Sequence, residues 1–411
     1  MPKQVGPLAA IGSLVHQVAH CDCDLRDFSM AFFRWNLVNW PNSLFLIGTL
    51  LVALTAVPVF VWSHGLDWFQ IALFFSFFIT TGLSITLGYH RLFSHLTFKA
   101  SWPVRLLTLV FGAAAFENSV LYWAADHRKH HKFVDDEEDP YNISKGFFHA
   151  HIGWMLFNDQ PATSLEGVKD LQRDPLVRWQ HRHYLVIAIL ASFGLPALLG
   201  WLWGGGPAAL GGFLIAGVAR VVIVNHMTFF INSWSHTWGR RPYSTRCTAR
   251  DSALLAWFTF GEGYHNFHHA FQYDYRNGAK LWQFDPTKWC IWLLHKMGLV
   301  RQLRRVAEET ILLAEIAERQ RQFSARLSAA PARLSESIER MLQVAQERLH
   351  QASVNWEQRK ADYRLAAETK MEASRQKLAQ LQEESREATA RLRAAICEWW
   401  EAHRLAQAQL A

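Results

Sequence analysis

Charged residues are scarce in this chain. Asp, Glu, Lys and Arg make up 19% of its 411 residues, while 50% are hydrophobic. That balance excludes a disordered chain, and the absence of a Gly-X-Y repeat excludes collagen. Cysteines are also few and odd in number, which excludes a small disulfide scaffold and favours a reducing compartment. The five are Cys21, Cys23, Cys247, Cys290 and Cys397.

Hydrophobic residues are concentrated in four stretches. Each is about 20 residues long, which is enough for a helix to cross a bilayer. The stretches form two hairpins with short tips, separated by almost a hundred polar and histidine-rich residues. The sequence therefore predicts an all-α protein with four transmembrane helices and one large soluble side. The predicted spans are residues 44–62, 68–88, 184–203 and 208–227.

Lys and Arg are missing from both hairpins, at residues 44–89 and 184–219. Because cationic flanks stay on the cytoplasmic side, both termini and the middle segment are expected there, in an inner or cytoplasmic membrane. No cleavable signal is visible in the first thirty residues. A net charge of +7 suits a surface facing anionic lipid, and no base-reading motif accompanies it, so no nucleic-acid partner is expected.

Arg220 is exceptional because it stands inside the fourth apolar stretch. Ionisable groups at such positions usually face protein or water. A guanidinium satisfied by backbone carbonyls or a carboxylate is the simpler interpretation, and a direct role near substrate is the alternative.

Glycine is absent after Gly298, and the only proline beyond it is Pro331. This composition predicts long helices interrupted near Pro331. Apolar and small residues recur every seven positions near the C-terminus, which predicts a weak coiled-coil surface that could mediate self-association or lie on the membrane. We divide the chain into an N-terminal segment (1–38), a membrane domain (39–306) and a helical tail (307–411). The heptad rows are Met371, Leu378, Ser385, Leu392 and Trp399, and Leu381, Ala388 and Ala395.

Nine of the twenty histidines fall into a pattern on the predicted soluble side. They occur as H-R-L-F-S-H, H-R-K-H-H and H-N-F-H-H, with one more in N-S-W-S-H. Spacings of three and four place residues on one helical face, so each of the two triads is expected to converge on one patch. A spacing of five suits a helix end that can unwind. The nine are His90, His95, His127, His130, His131, His236, His265, His268 and His269.

This number of imidazoles fits two metal ions better than one. All-imidazole sites suit Zn, Cu, Fe or Ni. A structural zinc needs only four ligands, and the H-E-x-x-H motif of a zinc hydrolase is absent. Nitrogen ligands around two irons can support chemistry on an inert C–H bond. Glu262, beside the third motif, is expected to orient an imidazole.

The motifs G-Y-H-R-L-F-S-H, W-A-A-D-H-R-K-H-H-K-F, D-P-Y-N, H-I-G-W, I-N-S-W-S-H-T-W-G and G-E-G-Y-H-N-F-H-H resemble those of membrane fatty acyl desaturases of the acyl-CoA delta-9 (stearoyl-CoA desaturase-like) type. The resemblance covers about residues 39–306. It implies four membrane helices under a cytosolic cap with a kinked acyl tunnel. It also implies that the nine histidines bind two Fe²⁺ ions, and that Asn232 reaches one iron through water.

The same resemblance implies substrate contacts. Asn118 and Asp126, and with them Asn42, match positions near the thioester and head group. Phe78 and Gly82 match positions at the methyl end of the tunnel, where bulk limits chain length. Plain lipid or helix packing is the alternative for Phe78. The implied reaction is the O₂-dependent introduction of a cis double bond into a long-chain saturated acyl thioester.

Two departures from animal relatives concern the acyl carrier. Ala125 replaces an arginine, and Asn158 and Asp159 replace a basic pair. Cations at those positions would pair with the phosphates of coenzyme A. Acyl-CoA is the carrier that the resemblance implies, and acyl-phospholipid and acyl-carrier-protein substrates stay open.

Electrons must come from a separate protein. The sequence has no heme-binding H-P-G-G motif and no dinucleotide fingerprint after a predicted strand. A ferredoxin, rubredoxin or cytochrome-type donor is expected. Three other functions remain open: a histidine-box di-iron hydroxylase, a metal transporter or sensor, and a scaffold assembled by the tail.

Overall fold

The computed structural model describes residues 35–158, 163–328, 332–368 and 375–410. Most of the predicted N-terminal segment, with Cys21 and Cys23, lies outside these ranges, as do Asp159, Pro331 and Met371. The described chain is mostly helical, and its one short strand pair joins β1 (Lys99–Ala100) to β2 (Val300–Arg301) in antiparallel fashion. The all-α prediction is confirmed.

The membrane part begins with a helical hairpin. Helix α1 is Trp40–His64, and α2 is Trp68–Leu83, which continues as π-helical turns through Ser84–Ser94. Asp67 caps α2 by accepting a hydrogen bond from the Gln70 amide at 2.8 Å. Both helices are long and apolar enough to cross a membrane.

The cap between the hairpins is built from α3 (Trp102–Ala113), α4 (Val120–Phe133) and α5 (Pro175–Arg182). Shorter helical pieces connect them. These pieces are Ile143–Lys145, His149–Gly153, Trp154–Leu156, Leu165–Val168 and Lys169–Gln172.

Three helical runs, against the four predicted spans, are long and apolar enough to cross a membrane in the described chain. The last two predicted spans lie in one helical run, Tyr184–His236, which is 53 residues long. Its backbone leaves helical geometry at Gly204 and Gly205, and Gly205 has a φ of 68°. A side chain at Gly200 would meet the Ala208 carbonyl, so the run folds back on itself there. The run contains α6 (Tyr184–Ile189), α7 (Leu195–Gly211) and α8 (Arg220–Ser233), joined by the π-helical segments Leu190–Gly194 and Gly212–Ala219 and ending in Trp234–His236.

Arg220 is fully buried in this run and donates to backbone carbonyls. Its guanidinium bonds the carbonyls of Ala114 at 2.6 Å, Ala216 at 3.1 Å and Ser192 at 3.4 Å. The interpretation as a satisfied structural guanidinium is confirmed. Arg220 thereby ties α8 to the C-terminal end of α3.

Three short helices follow the spans: α9 (Ala253–Phe258), α10 (His265–Ala270) and α11 (Pro286–Lys296). The tail then forms α12 (Glu308–Leu327), α13 (Ala332–Glu368) and α14 (Arg375–Leu410). Residues 329–331, which include Pro331, lie between α12 and α13 and outside the described ranges, so the break expected there stays a prediction.

The heptad rows of the tail pack within the chain. Leu392 and Trp399 are fully buried, and they form one apolar cluster with Trp356 of α13 and Ile316 of α12. The predicted apolar surface therefore has an intramolecular partner, and self-association through it stays a prediction. Helix α12 also docks on the membrane domain, where Ile311 packs with Tyr243 and Phe267.

We expect Trp399→Ala to destabilise the tail by about 3–5 kcal/mol, because the substitution leaves a large cavity in a closed core. Limited proteolysis of the full chain across a urea series would measure the change. Trp400→Ala is the matched control, since Trp400 is only partly buried beneath Arg319. Equal urea midpoints for the two variants would contradict this packing.

Candidate metal centre and adjoining cavity

The nine predicted histidines meet in two groups. The five-histidine cluster is His90, His95, His127, His131 and His268, and the four-histidine cluster is His130, His236, His265 and His269. Within each group the candidate ligand atoms lie within 4.8 Å of one another. The rings of His131 and His269 stack at 4.4 Å between centroids, so the two clusters adjoin.

Each triad divides between the clusters, which corrects the expectation that each triad converges on one patch. In α4, His127 and His131 join the five-histidine cluster, while His130 joins the other. In α10 the assignment is reversed, because His265 and His269 join the four-histidine cluster and His268 does not. Successive residues turn by 100° on an α-helix, so positions i+3 and i+4 point about 100° apart and reach different centres.

The spacing of five in the first motif is explained by π-helical turns. The His95 amide donates to the His90 carbonyl at 3.1 Å, an i to i+5 hydrogen bond. The wider turn brings both rings to the same side, with centroids 4.9 Å apart. The two histidines can therefore serve one centre from a single element.

Ring nitrogens face one another inside both clusters. The Nε2 atom of His268 lies 3.0 Å from that of His90 and 2.9 Å from that of His131. In the second cluster, Nε2 of His265 lies 3.1 Å from Nε2 of His236 and 3.0 Å from that of His269. Such convergence of one atom type is the geometry that a bound cation would organise.

Burial favours the neutral form of most of these imidazoles. Desolvation, followed by nearby imidazoles and cations, lowers the pKa of six of them well below the usual value. A neutral ring has a free lone pair for a metal ion. The six are His95, His127, His131, His265, His268 and His269.

Acceptors on the opposite ring nitrogens fix which nitrogen faces inward. The Nδ1 atom of His90 lies 2.8 Å from Glu262, that of His130 lies 2.8 Å from Asp139, and that of His236 lies 2.7 Å from the Thr248 hydroxyl. An Nδ1–H donated outward leaves Nε2 as an acceptor toward the centre. The expected orienting contact of Glu262 is present in the structure.

Glu262 is buried and has several partners besides His90. It accepts from Arg91 at 2.9 Å and from the Asn277 amide at 2.6 Å. Burial alone would raise the pKa of Glu262, but His90 and Arg91 outweigh it and lower that pKa, so the group is a carboxylate. Arg91 also pairs with Asp285 at 3.1 Å.

We expect Glu262→Gln to weaken metal binding about 10- to 100-fold, because the amide is a weaker acceptor for His90 and leaves Arg91 with one carboxylate. Competition against a chelator under anaerobic conditions measures the affinity. Glu308→Gln serves as the control, since Glu308 is exposed and forms a local ion pair with Arg305, three residues earlier. An affinity equal to that of the control would show that the contact is not orienting the ligand.

A cavity of 330 Å³, here called the outer cavity, reaches the five-histidine cluster at His127. Asn42, Asn118 and Asp126 line it, so the structure brings together the three residues expected at the head group. All three also line a polar vestibule with Lys129 and Asn158. Burial raises the pKa of Asp126 to about 6, against the lowering effect of a hydrogen bond from Thr163.

Two smaller pockets continue inward from the outer cavity. The middle pocket shares Trp123, His127, Thr228 and Asn232 with the outer cavity, and it touches both clusters. The inner pocket shares Ile85, Thr86, Thr228 and Ile231 with the middle pocket. Thr228 lines all three, so the pockets adjoin one another from the outer cavity past the histidines. Asn232 lies on this path beside them.

The inner pocket ends at Gly82 and Phe260. Phe78 packs behind this end rather than lining it, with its ring centroid 5.4 Å from that of Phe260. Of the two residues expected at the methyl end, Gly82 lies on the pocket wall and Phe78 supports that wall.

Glu117 is a cavity residue that the sequence reasoning missed. Its carboxyl group accepts from Thr228 at 2.7 Å and from the Trp123 indole at 3.1 Å. Burial raises the pKa of Glu117 to about 7. The position next to Asn118 was the available signal, but Thr228 lies 111 residues away and no local spacing connects the pair.

Comparison with known proteins identifies relatives of this arrangement. The family model for fatty acid desaturases matches residues 66–283. A probable acyl-CoA desaturase of Schizosaccharomyces pombe is 38% identical over 289 residues, which cover 70% of this chain and 59% of the relative. Acyl-CoA desaturase 1 of Saccharomyces cerevisiae is 38% identical over 298 residues, 71% of this chain and 58% of the relative. Stearoyl-CoA desaturase 2 of Mus musculus is 37% identical over 241 residues, 57% of this chain and 67% of the relative. The chain thus spans just under three fifths of the two yeast proteins.

Proposed function

The chain belongs to the fatty acid desaturase family, and from that premise we propose that it is an O₂-dependent oxidoreductase acting on a long-chain saturated acyl thioester. The proposed reaction removes two hydrogens from adjacent methylenes and leaves a cis double bond at the delta-9 position. The delta-9 position is proposed from the family resemblance, and acyl-CoA from the names of the relatives.

The observation that carries the proposal is the narrow path that runs past both histidine clusters. The outer cavity is mostly apolar toward Phe45, Leu46 and Phe229, and its far end touches His127. An alkyl chain has no polar group for an enzyme to grip, so its position must come from the shape of such a slot. A path that bends beside the clusters would present one pair of methylenes to them.

We assign the nine histidines to two irons, one per cluster, with Asn232 reaching one of them through water. The donor set fits, because every cluster ring offers an imidazole nitrogen and three rings have their outward Nδ1 atoms held by acceptors. When bound, the two irons would supply the O₂ activation that an unactivated C–H bond requires.

The protein's own residues position the acyl chain and exclude water from it. Thr228 and Trp123 are cross-linked through Glu117, so the pocket wall beside the clusters is held from two helices and the loop before α4. The histidines that face it are buried, which excludes bulk water from the reacting methylenes. The double-bond position would then be set by the distance from the vestibule to the histidine clusters.

The acyl carrier is proposed to sit in the vestibule. Asn42, Asn118 and Asp126 line it, and Lys129 provides a cation. The vestibule is richer in amides than in cations, since Asn39 and Asn158 are also part of its wall. An acyl-CoA substrate would use Lys129 and the amides for its head group, and an acyl-phospholipid is the competing carrier.

We place the enzyme in an inner or cytoplasmic membrane with its histidine clusters on the cytoplasmic side, as the lack of Lys and Arg in the apolar hairpins supports. The two electrons for each turnover would come from a ferredoxin, rubredoxin or cytochrome-type donor. A donor of acidic surface suits the net charge of +7.

Product analysis tests the function. The purified protein is reconstituted with iron in nanodiscs, supplied with chemically reduced donor and O₂, and given stearoyl-CoA or a stearoyl phospholipid. Mass spectrometry should find a product lighter by two hydrogens from stearoyl-CoA, with the double bond at carbon 9. An added hydroxyl would identify a hydroxylase instead, and product from the phospholipid alone would assign that carrier.

A further inference from the structure

We propose that the protein has a second contact with the bilayer, separate from its spanning helices. The contact is an aromatic surface formed by α9, residues 280–284 and α11, and its partner is the phospholipid interface of the leaflet nearest the histidine clusters. This inference does not depend on the reaction proposed above.

The surface is apolar but exposed. Trp257 is 66% exposed, Trp282 72% and Leu281 95%. A soluble face rarely leaves so many large side chains together in water, and such patches mark protein or membrane contacts. Its other members, all exposed, are Leu254, Phe258, Trp289, Trp292, Leu293 and Met297.

Contacts with α2 fix the depth of this surface. Phe260, two residues after α9, packs on Phe78 and against Gly82. At the start of α11, the Thr287 hydroxyl bonds the Thr86 hydroxyl at 2.7 Å. Both elements therefore touch a helix that is itself long and apolar enough to span a membrane.

The rise per residue of that helix gives the depth of these contacts in the bilayer. At about 1.5 Å per residue, Phe78 lies roughly 15 Å and Thr86 roughly 27 Å from Trp68 along the axis. The hydrocarbon core is about 30 Å thick. If the hydrocarbon core begins near Trp68, Phe260 lies in the half of the core that is nearer the histidine clusters. Thr287 then lies close to the boundary of the core on that same side. The exposed faces of α9 and α11 are then level with lipid rather than with bulk water.

The charges on the surface match a phospholipid interface. The Lys280 ammonium lies 5.2 Å from the Trp282 ring centroid, and the Lys296 ammonium lies 5.3 Å from that of Trp292. An indole in the interfacial region with an ammonium beside it suits the level of lipid phosphates. A protein partner would have to compete with lipid at that depth, so the bilayer is the occupant that these observations favour.

The loop that carries Leu281 and Trp282 is held in place by a lysine of α11. The Lys288 ammonium is buried and donates to the carbonyls of Gly278 at 2.7 Å, Lys280 at 2.8 Å and Gln283 at 3.0 Å. These bonds fix the loop on α11 with its apolar side chains directed outward. The exposure of Leu281 and Trp282 is thus a built feature of the fold.

Site-directed spin labelling of the full chain tests the proposal. In a background with the five native cysteines replaced by serine, labels are placed by Trp257→Cys, Leu281→Cys and Met297→Cys. Val344→Cys on α13 is the control, because Val344 is 60% exposed on the tail. The protein is reconstituted in nanodiscs of phosphatidylcholine and phosphatidylglycerol, and collisions with O₂ and with a water-soluble nickel chelate are compared.

The three surface labels should collide preferentially with O₂, and the control label with the nickel chelate. Labels that all behave like the control would overturn the proposal. Double electron–electron resonance on the same samples tests the alternative, in which a second copy of the chain covers the aromatic surface. Short distances between labels on two copies, without preferential O₂ access, would also overturn it. Because three sites are labelled independently, one misfolded variant does not decide the outcome.

Discussion

Replacing His268 with alanine should eliminate double-bond formation and remove metal from the five-histidine cluster. The His268 imidazole faces both His90 and His131 through Nε2, so its loss opens the middle of that cluster. Loss of a residue that only orients a ligand costs about 10- to 100-fold in metal affinity or activity, and loss of the ligand itself should exceed that. Iron per chain by mass spectrometry and turnover by gas chromatography measure the two effects.

The control for this substitution is His350→Ala. His350 is exposed on α13 and belongs to neither cluster. The His268 variant should bind less iron than the control, with the four-histidine cluster retaining its share. Full iron content and normal turnover in the His268 variant would remove the basis for the two-iron assignment.

The spacing of the histidines predicted which residues meet, but not how they divide. Local geometry places His127, His130 and His131 on one side of α4, with His130 and His131 about 100° apart. Their division between two centres depends on how α4 and α10 face each other, and no short-range pattern encodes that orientation. The pairing of His90 with His95 likewise requires π-helical turns, which the sequence does not signal.

The membrane helices were partly predictable for a different reason. Apolar length alone locates a span, so the hairpin of α1 and α2 follows from composition. The turn between the last two predicted spans falls at Gly204 and Gly205, where the backbone leaves helical geometry inside one run of 53 residues. The heptad rows of the tail showed an apolar surface, but its partner, α13, could be identified only from the folded chain.

The contacts around the ligands were the least predictable part. Asp139 and Thr248 hold His130 and His236 through single hydrogen bonds, and neither belongs to a histidine motif. Glu117 and Thr228 are far apart in sequence and meet only because α8 packs beside the loop before α4. Each of these residues acts through tertiary hydrogen bonds. Sequence periodicity and motif spacing therefore do not predict them.

The chain-length preference should change when the inner pocket is shortened. A β-carbon at Gly82 would lie 2.2 Å from the Phe260 ring, so Gly82→Ala must displace that ring, which lines the inner pocket. We expect the preferred acyl chain to shorten by about two methylenes. At about 0.8 kcal/mol per buried methylene, the ratio of kcat/KM for palmitoyl over stearoyl substrate should rise roughly 15-fold. Competition between the two substrates, followed by gas chromatography, gives this ratio directly.

Gly48→Ala is the matched control, because no heavy atom outside its own helix lies within 4 Å of a β-carbon at Gly48. Both substitutions add one methyl group to a glycine in a candidate span, but only the one at Gly82 meets the pocket wall. Adding Phe260→Leu to the Gly82 variant removes the displaced ring and should return the preference toward stearoyl. A ratio that is the same in the Gly82 and Gly48 variants, with no reversal in the double variant, would mean that the acyl chain ends elsewhere.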